Sequence, residues 1–488
     1  MPAFPDPSPA AAPRRWTVER RGLAPVPDGE RHGSVTSMLW LWVAANIGIL
    51  GVTMGAGLVT ALGLNLWQAL VAAAVGSVGS FAFVALISSQ GPATGAPVMV
   101  ASRATFGVLG NLPVTLVSWI VLAGWEAAMC TTATFALLAV LNLIGVPTTA
   151  WTGAAAAVVI VGGATVIAWF GHATIWWVQK WLAWVVGTLT LIVCGFGIST
   201  VHWVAVLGSP GTDLPGLLAG IGVIAAGTGV GWLSAGGDYT RYLPAATRPG
   251  RLFTATLAGA GVPLTLLVGT GSLLAFGNPA TADGSDPVGS VGLALPDWLL
   301  VPYLITAMLG LLAAADLSMY SSGLNLQALG VPLRRPLAVL ATAVPVAAVT
   351  VLVVLTSTDV YALLTAVVTA FAMPLAAWAG VVVVDVVQRR HPDPDALVDV
   401  RRGSAYWYTA GVHWPAVAAW LGGIAVAVPW ARVQFGDQVV FAGFLSDTWV
   451  GRSSLGWLVA GLAAMAIYWV LEPVSQRAER ASAARAAE

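Results

Sequence analysis

Twelve apolar runs, each long enough to cross a bilayer, leave this chain few alternatives. Their limits are 37–62, 67–89, 112–142, 152–170, 176–199, 215–236, 252–276, 299–327, 336–355, 359–387, 412–430 and 455–472. About 20 apolar residues span the hydrocarbon core, and lipid offers no partner to a backbone N–H or C=O. Each run must therefore satisfy its own backbone as a helix. Composition excludes a soluble core: 58% of the 488 residues are hydrophobic and only 9% are charged, against roughly 25% charged in a globular domain. The expected class is an all-α polytopic membrane protein of about 12 transmembrane helices.

Threading the runs back and forth puts 19 of the 21 Lys and Arg on one side. Arg14, Arg15, Arg20, Arg21 and Arg31 are in the N-terminal segment 1–35, and Arg477, Arg480 and Arg485 in the C-terminal segment 473–488. Arg103, Lys180, Arg241, Arg248, Arg251, Arg334, Arg335, Arg389, Arg390, Arg401 and Arg402 lie at even-numbered connections, the last four in the loop 389–411. Only Arg432 and Arg452 fall on the other side. The positive-inside rule then makes both termini cytoplasmic and the acidic 277–298 loop external. Both terminal segments read as mobile tails, and the first is not a signal peptide. The expected location is the plasma membrane. A net charge of zero gives no sign of nucleic-acid binding. Cys130 and Cys194 fall inside spans and read as small packing residues.

Most glycines and the 23 tryptophans serve close helix packing and interface anchoring. Four clusters ask for more. In span one, Asn46 and Gly48 sit among small residues, which suggests a locally unwound helix whose free carbonyls, near Ala45 and Gly48, face a cavity. In span six, Gly227, Gly229, Gly231, Gly236 and Gly237 rule out a rigid helix. Broken helices at corresponding places in two halves mark a transport site. Asp238 and Arg241, three apart, read as an ion pair at the end of that span. In span three, Glu126 lies mid-membrane, where a carboxylate must face a cavity or a partner, or carry a proton. In span eight, Asp316 accompanies Ser318, Ser321, Ser322 and Asn325 at helical spacing, a polar stripe read as lining a water-filled path. Asp385 reads as a structural cap at the end of span ten.

Several of these stretches are similar to one known family. Gly91-Pro92-Ala93-Thr94-Gly95, Ser102-Arg103, Phe106-Gly107 and Gly124-Trp125 resemble helices two and three of the nucleobase–cation symporter-1 family, purine–cytosine permease branch. Gly231-Trp232 through Pro244 resembles its sixth helix, and Tyr320 through Gly330 its eighth. Asp385 with the basic pair after it, then Tyr406-Trp407-Tyr408 and Gly411 through Ala416, resemble its tenth and eleventh. The resemblance runs from about residue 36 to 430. It implies two inverted five-helix repeats, here 36–200 and 214–388, with helices 1 and 6 broken and two peripheral helices in 412–472. It also implies a substrate between helices one, three, six and eight, and alternating access.

On that basis the expected function is secondary active import of a nucleobase, cytosine or purine, or a related heterocycle, by cation symport. The substrate-binding residues would be Asn46, Trp125, Glu126, Met129, Gly229, Trp232, Asp316 and Ser318. Trp125 matches the family's stacking aromatic, and Met129 stands where many members have an amide. Ion coupling would involve Ala45, Gly48, Glu126, Asp316, Ser321 and Ser322. Ala313, Ala314 and Ala315 stand where sodium-coupled members carry adjacent hydroxyls. That favours H⁺ over Na⁺, with Ser321 and Ser322 as ion ligands under a shifted register. Sodium-coupled uptake of allantoin, hydantoin or a vitamin-like heterocycle is the alternative. No ATP-binding loop, haem pair or metal-ligand spacing appears, which leaves an intramembrane enzyme or a channel remote. No cofactor is expected. The partners are the heterocycle, the coupling cation and lipid, in a monomer or weak oligomer.

Overall fold

The computed structural model describes residues 16–487 except 200, 202, 279–287, 293–294, 357–359, 390–391 and 436–437. Span one is a bent pair, α1 (Val35–Asn46) and α2 (Ile49–Thr60), turned by 56° at Ile47 and Gly48. Then come α3 (Leu66–Ser88), α4 (Asn111–Leu143), α5 (Ala150–Phe170) and α6 (His172–Ser199). Span six is α7 (Leu214–Ala225), a wide π turn over Ala226–Val230, a turn at 233–235, and the short α8 (Gly236–Thr240). The remaining spans are α9 (Pro249–Gly277), α10 (Asp297–Ala328), α11 (Arg335–Thr356), α12 (Val360–Arg389), α13 (Trp414–Ala427) and α14 (Gly456–Ala487). Among the described residues nine helices are long and apolar enough to cross a membrane, ten with the bent pair taken as one span, and two shorter apolar helices, Leu214–Val230 and Trp414–Trp430, accompany them in a multi-pass membrane protein. A hairpin of β1 (Arg432–Phe435) and β2 (Gln438–Ala442) joins α13 to α14.

Local chemistry sets the helix starts. Ser34 accepts the Ser37 N–H at 3.1 Å ahead of α1. Asn65 and Gln68 form a reciprocal capping box ahead of α3, at 2.9 and 3.1 Å, which satisfies amide groups that open a helix without a partner. Small residues let the broken helix dock. A Cβ on Gly55 of α2 would strike the Val268 carbonyl of α9, and one on Gly271 of α9 would strike the Val52 carbonyl. The backbones therefore meet without intervening side chains, as membrane helices do where packing must replace the hydrophobic drive. Around this unit α4 packs along α10, and α13 and α14 pack on α12.

Three expectations change. Residues 16–34 are not a free tail, since Glu19 and Arg31 bond to the helix ends beside them and Arg21 bonds Glu30 within the segment; residues 1–15 lie outside the described residues. The C-terminal segment continues α14 through Ala487, because its run of Ala, Arg and Glu favours helix. Lys180 lies two turns inside α6, which starts already at His172. Half of the 277–298 loop, with Asp283 and Asp286, lies outside the described residues.

Candidate functional site

A cavity of about 70 Å³ opens where α1 gives way to α2. Asn46, Gly48 and Gly51 line it from the broken first span, Trp125 and Met129 from α4, Gly227, Thr228, Gly231 and Trp232 from the sixth span, and Gly310, Ala314 and Ser318 from α10. The surfaces are mostly apolar, with two indoles among them.

The breaks bring these groups together. Gly310 faces the Ile47 carbonyl, and a Cβ there would approach it to 2.9 Å. This fixes the register of α10 against the break. Gly231 does the same for Trp125, whose Nε1 lies 2.9 Å from where a Cβ would stand. The polar side chains of the lining are already engaged. Asn46 donates to the Trp42 carbonyl at 2.9 Å, Thr228 to Ile224 at 2.6 Å, and Ser318 to Leu122 at 3.2 Å.

Of the residues singled out from the sequence, Ala45, Asn46, Gly48, Trp125, Met129, Trp232 and Ser318 line this cavity. The others stand elsewhere. Gly229 packs against Ser80 of α3, since the π turn rotates it away and leaves Gly227, Thr228 and Gly231 on the cavity side. Glu126 is buried one residue past Trp125, across from Ser318 and Ser322. Neither of its oxygens has a hydrogen-bond partner among the described residues, because the Ser318 and Ser322 hydroxyls donate to Leu122 and Met319 carbonyls.

Asp316 points to α6, where Gln179 Nε2 donates both to its Oδ1, at 2.9 Å, and to the Ala313 carbonyl, at 2.6 Å. Ser321 donates to the Tyr239 hydroxyl at 3.1 Å. It sits 11 residues beyond Gly310 on α10, hence about 16 Å further along the helix. Ser321 and Ser322 are thus far from the break, and the shifted register for an ion site does not match the geometry. Beyond Ser318, which lines the cavity, the polar stripe of α10 is a packing seam, with Asn325 donating to Ser118 of α4 at 2.7 Å.

The Asp238–Arg241 pair also dissolves. Asp238 accepts the Val98 N–H at 2.7 Å, capping the short helix Val98–Ala101, while Arg241 turns to Glu19 at 2.8 Å. Asp385 is structural, accepting from Thr105 and Tyr468, each at 2.8 Å. Cys130 and Cys194 are buried and unbonded to each other. Among the described residues no cluster of His, Cys, Asp or Glu could hold a metal ion.

Two residues escaped the sequence reading. Thr228 was concealed between glycines that drew attention to the backbone. Gln179 was masked by Lys180 beside it, although a lone amide inside an apolar run is itself a signal.

The family description "Permease for cytosine/purines, uracil, thiamine, allantoin" matches residues 25–460. The chain belongs to this permease family. It is 32% identical over 271 residues to the putative purine-cytosine permease YxlA of Bacillus subtilis, covering 54% of this chain and 55% of that protein. To the purine-cytosine permease FCY2 of Saccharomyces cerevisiae it is 26% identical over 339 residues, covering 65% and 61%. The chain therefore spans between half and two thirds of the length of these relatives. The permease fold is similar to Mhp1, a nucleobase-cation-symport-1 family transporter, in a closed conformation with bromovinylhydantoin bound. That match has a TM-score of 0.72 at 19% identity and covers 92% of this chain and 93% of the other. The inward-facing conformation of Mhp1 gives 0.66, also at 19% identity, over 93% and 96%. The fold is the inverted-repeat transporter fold with helices 1 and 6 broken, and the family's members are permeases, not enzymes.

Proposed function

We propose that this permease imports a nucleobase, cytosine or a purine, or a closely related flat heterocycle, across the plasma membrane with a proton as coupling ion. The observation that carries the reading is the cavity at the paired helix breaks, flanked by Trp125 and Trp232. A flat ring gains from stacking on an indole. Asn46, Met129 and Ser318 would bound its edge. Glu126, buried next to Trp125 and behind Ser318, stands outside the lining and would turn toward the cavity to accept a ring N–H. Asp316 would carry the proton.

The neighbourhood of Asp316 supports a proton over sodium. Small hard cations take several oxygen ligands. Here the Ala313 carbonyl and Asp316 Oδ1 converge on the Gln179 amide nitrogen, which takes up the space between them. Ala313, Ala314 and Ala315 add no side-chain oxygen. Uptake of labelled cytosine, adenine, hypoxanthine, uracil and allantoin into cells overproducing the protein tests the reading. Accumulation of at least one base, abolished by a protonophore and indifferent to replacing Na⁺ with choline, is expected. Strict Na⁺ dependence without response to a proton gradient would overturn the coupling assignment.

Gly231→Val should weaken binding on the order of tenfold, because its side chain displaces the Trp125 indole and forfeits much of a stack worth about 1–3 kcal/mol. Isothermal titration with the transported base checks this, and unchanged affinity refutes the packing argument.

The basic residues further imply that both termini are cytoplasmic. Val440 on the β hairpin is exposed, and both native cysteines are buried. Val440→Cys should react with an impermeant maleimide on intact cells. Reaction only after lysis inverts the orientation.

A further inference from the structure

The segment before α1 runs across the end of the bundle where Arg241, Arg335 and the α5–α6 corner meet, and Glu19 is its anchor. Glu19 Oε1 accepts from Arg241 Nη2 at 2.8 Å, from the Tyr242 hydroxyl at 2.8 Å and from the Tyr320 hydroxyl at 3.1 Å. Its Oε2 accepts the His172 backbone N–H at 2.9 Å and lies 3.3 Å from His172 Nδ1. Arg241 also donates to the Gly22 carbonyl at 2.8 Å. Further along, the Val26 N–H bonds the Gly95 carbonyl at 2.9 Å, Arg31 bonds the Pro92 carbonyl at 2.7 Å, and the Gly33 N–H bonds the Tyr242 carbonyl at 3.0 Å. One short stretch thus ties α6 and the α3–α4 connection, from the first repeat, to α8 and α10, from the second.

The anchor stands under the cavity floor. Trp232, which lines the cavity, lies 6.4 Å from the Tyr239 ring, and Tyr239 lies 6.3 Å from Tyr320. Tyr320 packs beneath two guanidinium groups, Arg335 at 4.6 Å and Arg241 at 5.9 Å. Arg335 in turn donates to the Ala168 and Trp169 carbonyls at the end of α5. A solute leaving the cavity toward this end must part the column Trp232–Tyr239–Tyr320–Arg241, and Glu19 holds its lower end.

We propose that residues 16–33 are a strap, latched by Glu19 on Arg241, Tyr242, Tyr320 and His172, that keeps the cavity closed toward the basic end and must release for it to open there. The proposal rests on the transport reading only for the consequence of opening. The latch is not thrown by protons. Burial alone would raise the Glu19 carboxyl, but Arg335, His172 and Arg241 outweigh it and hold it well below the usual carboxylate range. Its contribution is therefore full at neutral pH and is lost only in strong acid, as pH falls through that lowered value. Movement of α6, α8 and α10 relative to one another, which pulls the partners apart, is the releasing event.

Two measurements on the full-length protein test this. Ala235, buried between Trp232 and Tyr239 in the sequence, is replaced by cysteine, and its maleimide labelling is timed in detergent with no substrate added. Removing one partner of a buried ion pair leaves the other charges uncompensated. Glu19→Gln should therefore speed Ala235→Cys labelling at least about tenfold, and Glu19→Asp much less. Equal labelling rates in monodisperse Glu19→Gln and Glu19 proteins overturn the latch, whatever the protein transports.

The second measurement fixes the strap in place. A Cβ on Gly22 would lie 2.7 Å from Gln327 Oε1 of α10. Gly22→Cys with Gln327→Cys, bridged by a short reducible cross-linker, should abolish uptake, and reductant should restore it. Cross-linked protein that transports at the uncross-linked rate also overturns the proposal. If no uptake of any tested base is found before cross-linking, the transport reading fails, while the labelling result still decides the latch.

Discussion

Protein carrying Asp316→Asn, reconstituted with substrate on both sides of the membrane, should exchange it at near the parental rate and yet be unable to concentrate it. The carboxyl lies on α10 six residues from Gly310, about 9 Å along the helix from the break. It is fully buried and held on one oxygen by Gln179. Asparagine keeps an oxygen for that bond but cannot load and unload a proton. A potential of 100 mV is worth about 2.3 kcal/mol per charge, so one coupled proton supports roughly 50-fold accumulation, and uncoupling should reduce this to unity. Glu126→Gln should behave differently. It replaces the acceptor proposed for the ring N–H, so both exchange and accumulation should be lost. Counterflow and potential-driven uptake in the same proteoliposomes separate the two outcomes. Full accumulation by the Asp316→Asn protein would remove Asp316 from the coupling.

Trp125→Ala should weaken substrate binding roughly 5- to 150-fold, from a stacking contribution of about 1–3 kcal/mol per base. Trp125→Phe should lose less, because a smaller ring still offers a face. The indole is held against Gly231, so its orientation is set before substrate arrives and little ordering remains to oppose binding. Scintillation proximity binding with the transported base gives the affinity directly. Equal affinity for the parent and a correctly inserted Trp125→Ala protein would take Trp125 out of the site and leave Trp232 as the candidate platform.

What the sequence disclosed followed from rules that act along one helix. Asn46 and Gly48 announced the bend of the first span, and the glycines after 226 announced that of the sixth, because local composition alone decides whether a helix can continue. The hydrophobic runs gave the crossings for the same reason. Periodicity also showed that Ser318, Ser321 and Asn325 share a face of α10. It could not show what the face meets, since the partner of Ser321 is Tyr239, 82 residues away. The Asp238–Arg241 reading failed in the same manner. Spacing of three allowed the pair, but Arg241 found Glu19, 222 residues distant, in a segment that composition marked as a tail. Gln179 closing on Ala313 and Asp316 is likewise a contact between separate helices. Legibility ended where a residue's role depends on the helix packed against it.

The engaged hydrogens of the cavity lining have a consequence for discrimination. Asn46, Thr228 and Ser318 each direct a hydrogen to a main-chain carbonyl, so their oxygens present lone pairs to the cavity beside the one amide hydrogen that Asn46 keeps. A lining of this kind sorts guests by the protons on their rim. A ring whose tautomer turns N–H or amino groups outward finds acceptors waiting. The same ring methylated at that nitrogen brings bulk and no proton, and leaves those oxygens dehydrated without recompense. Selection would then act on tautomer and methylation pattern more sharply than on ring size, and competition by singly N-methylated bases would map, nitrogen by nitrogen, which edge of the guest meets the broken helices.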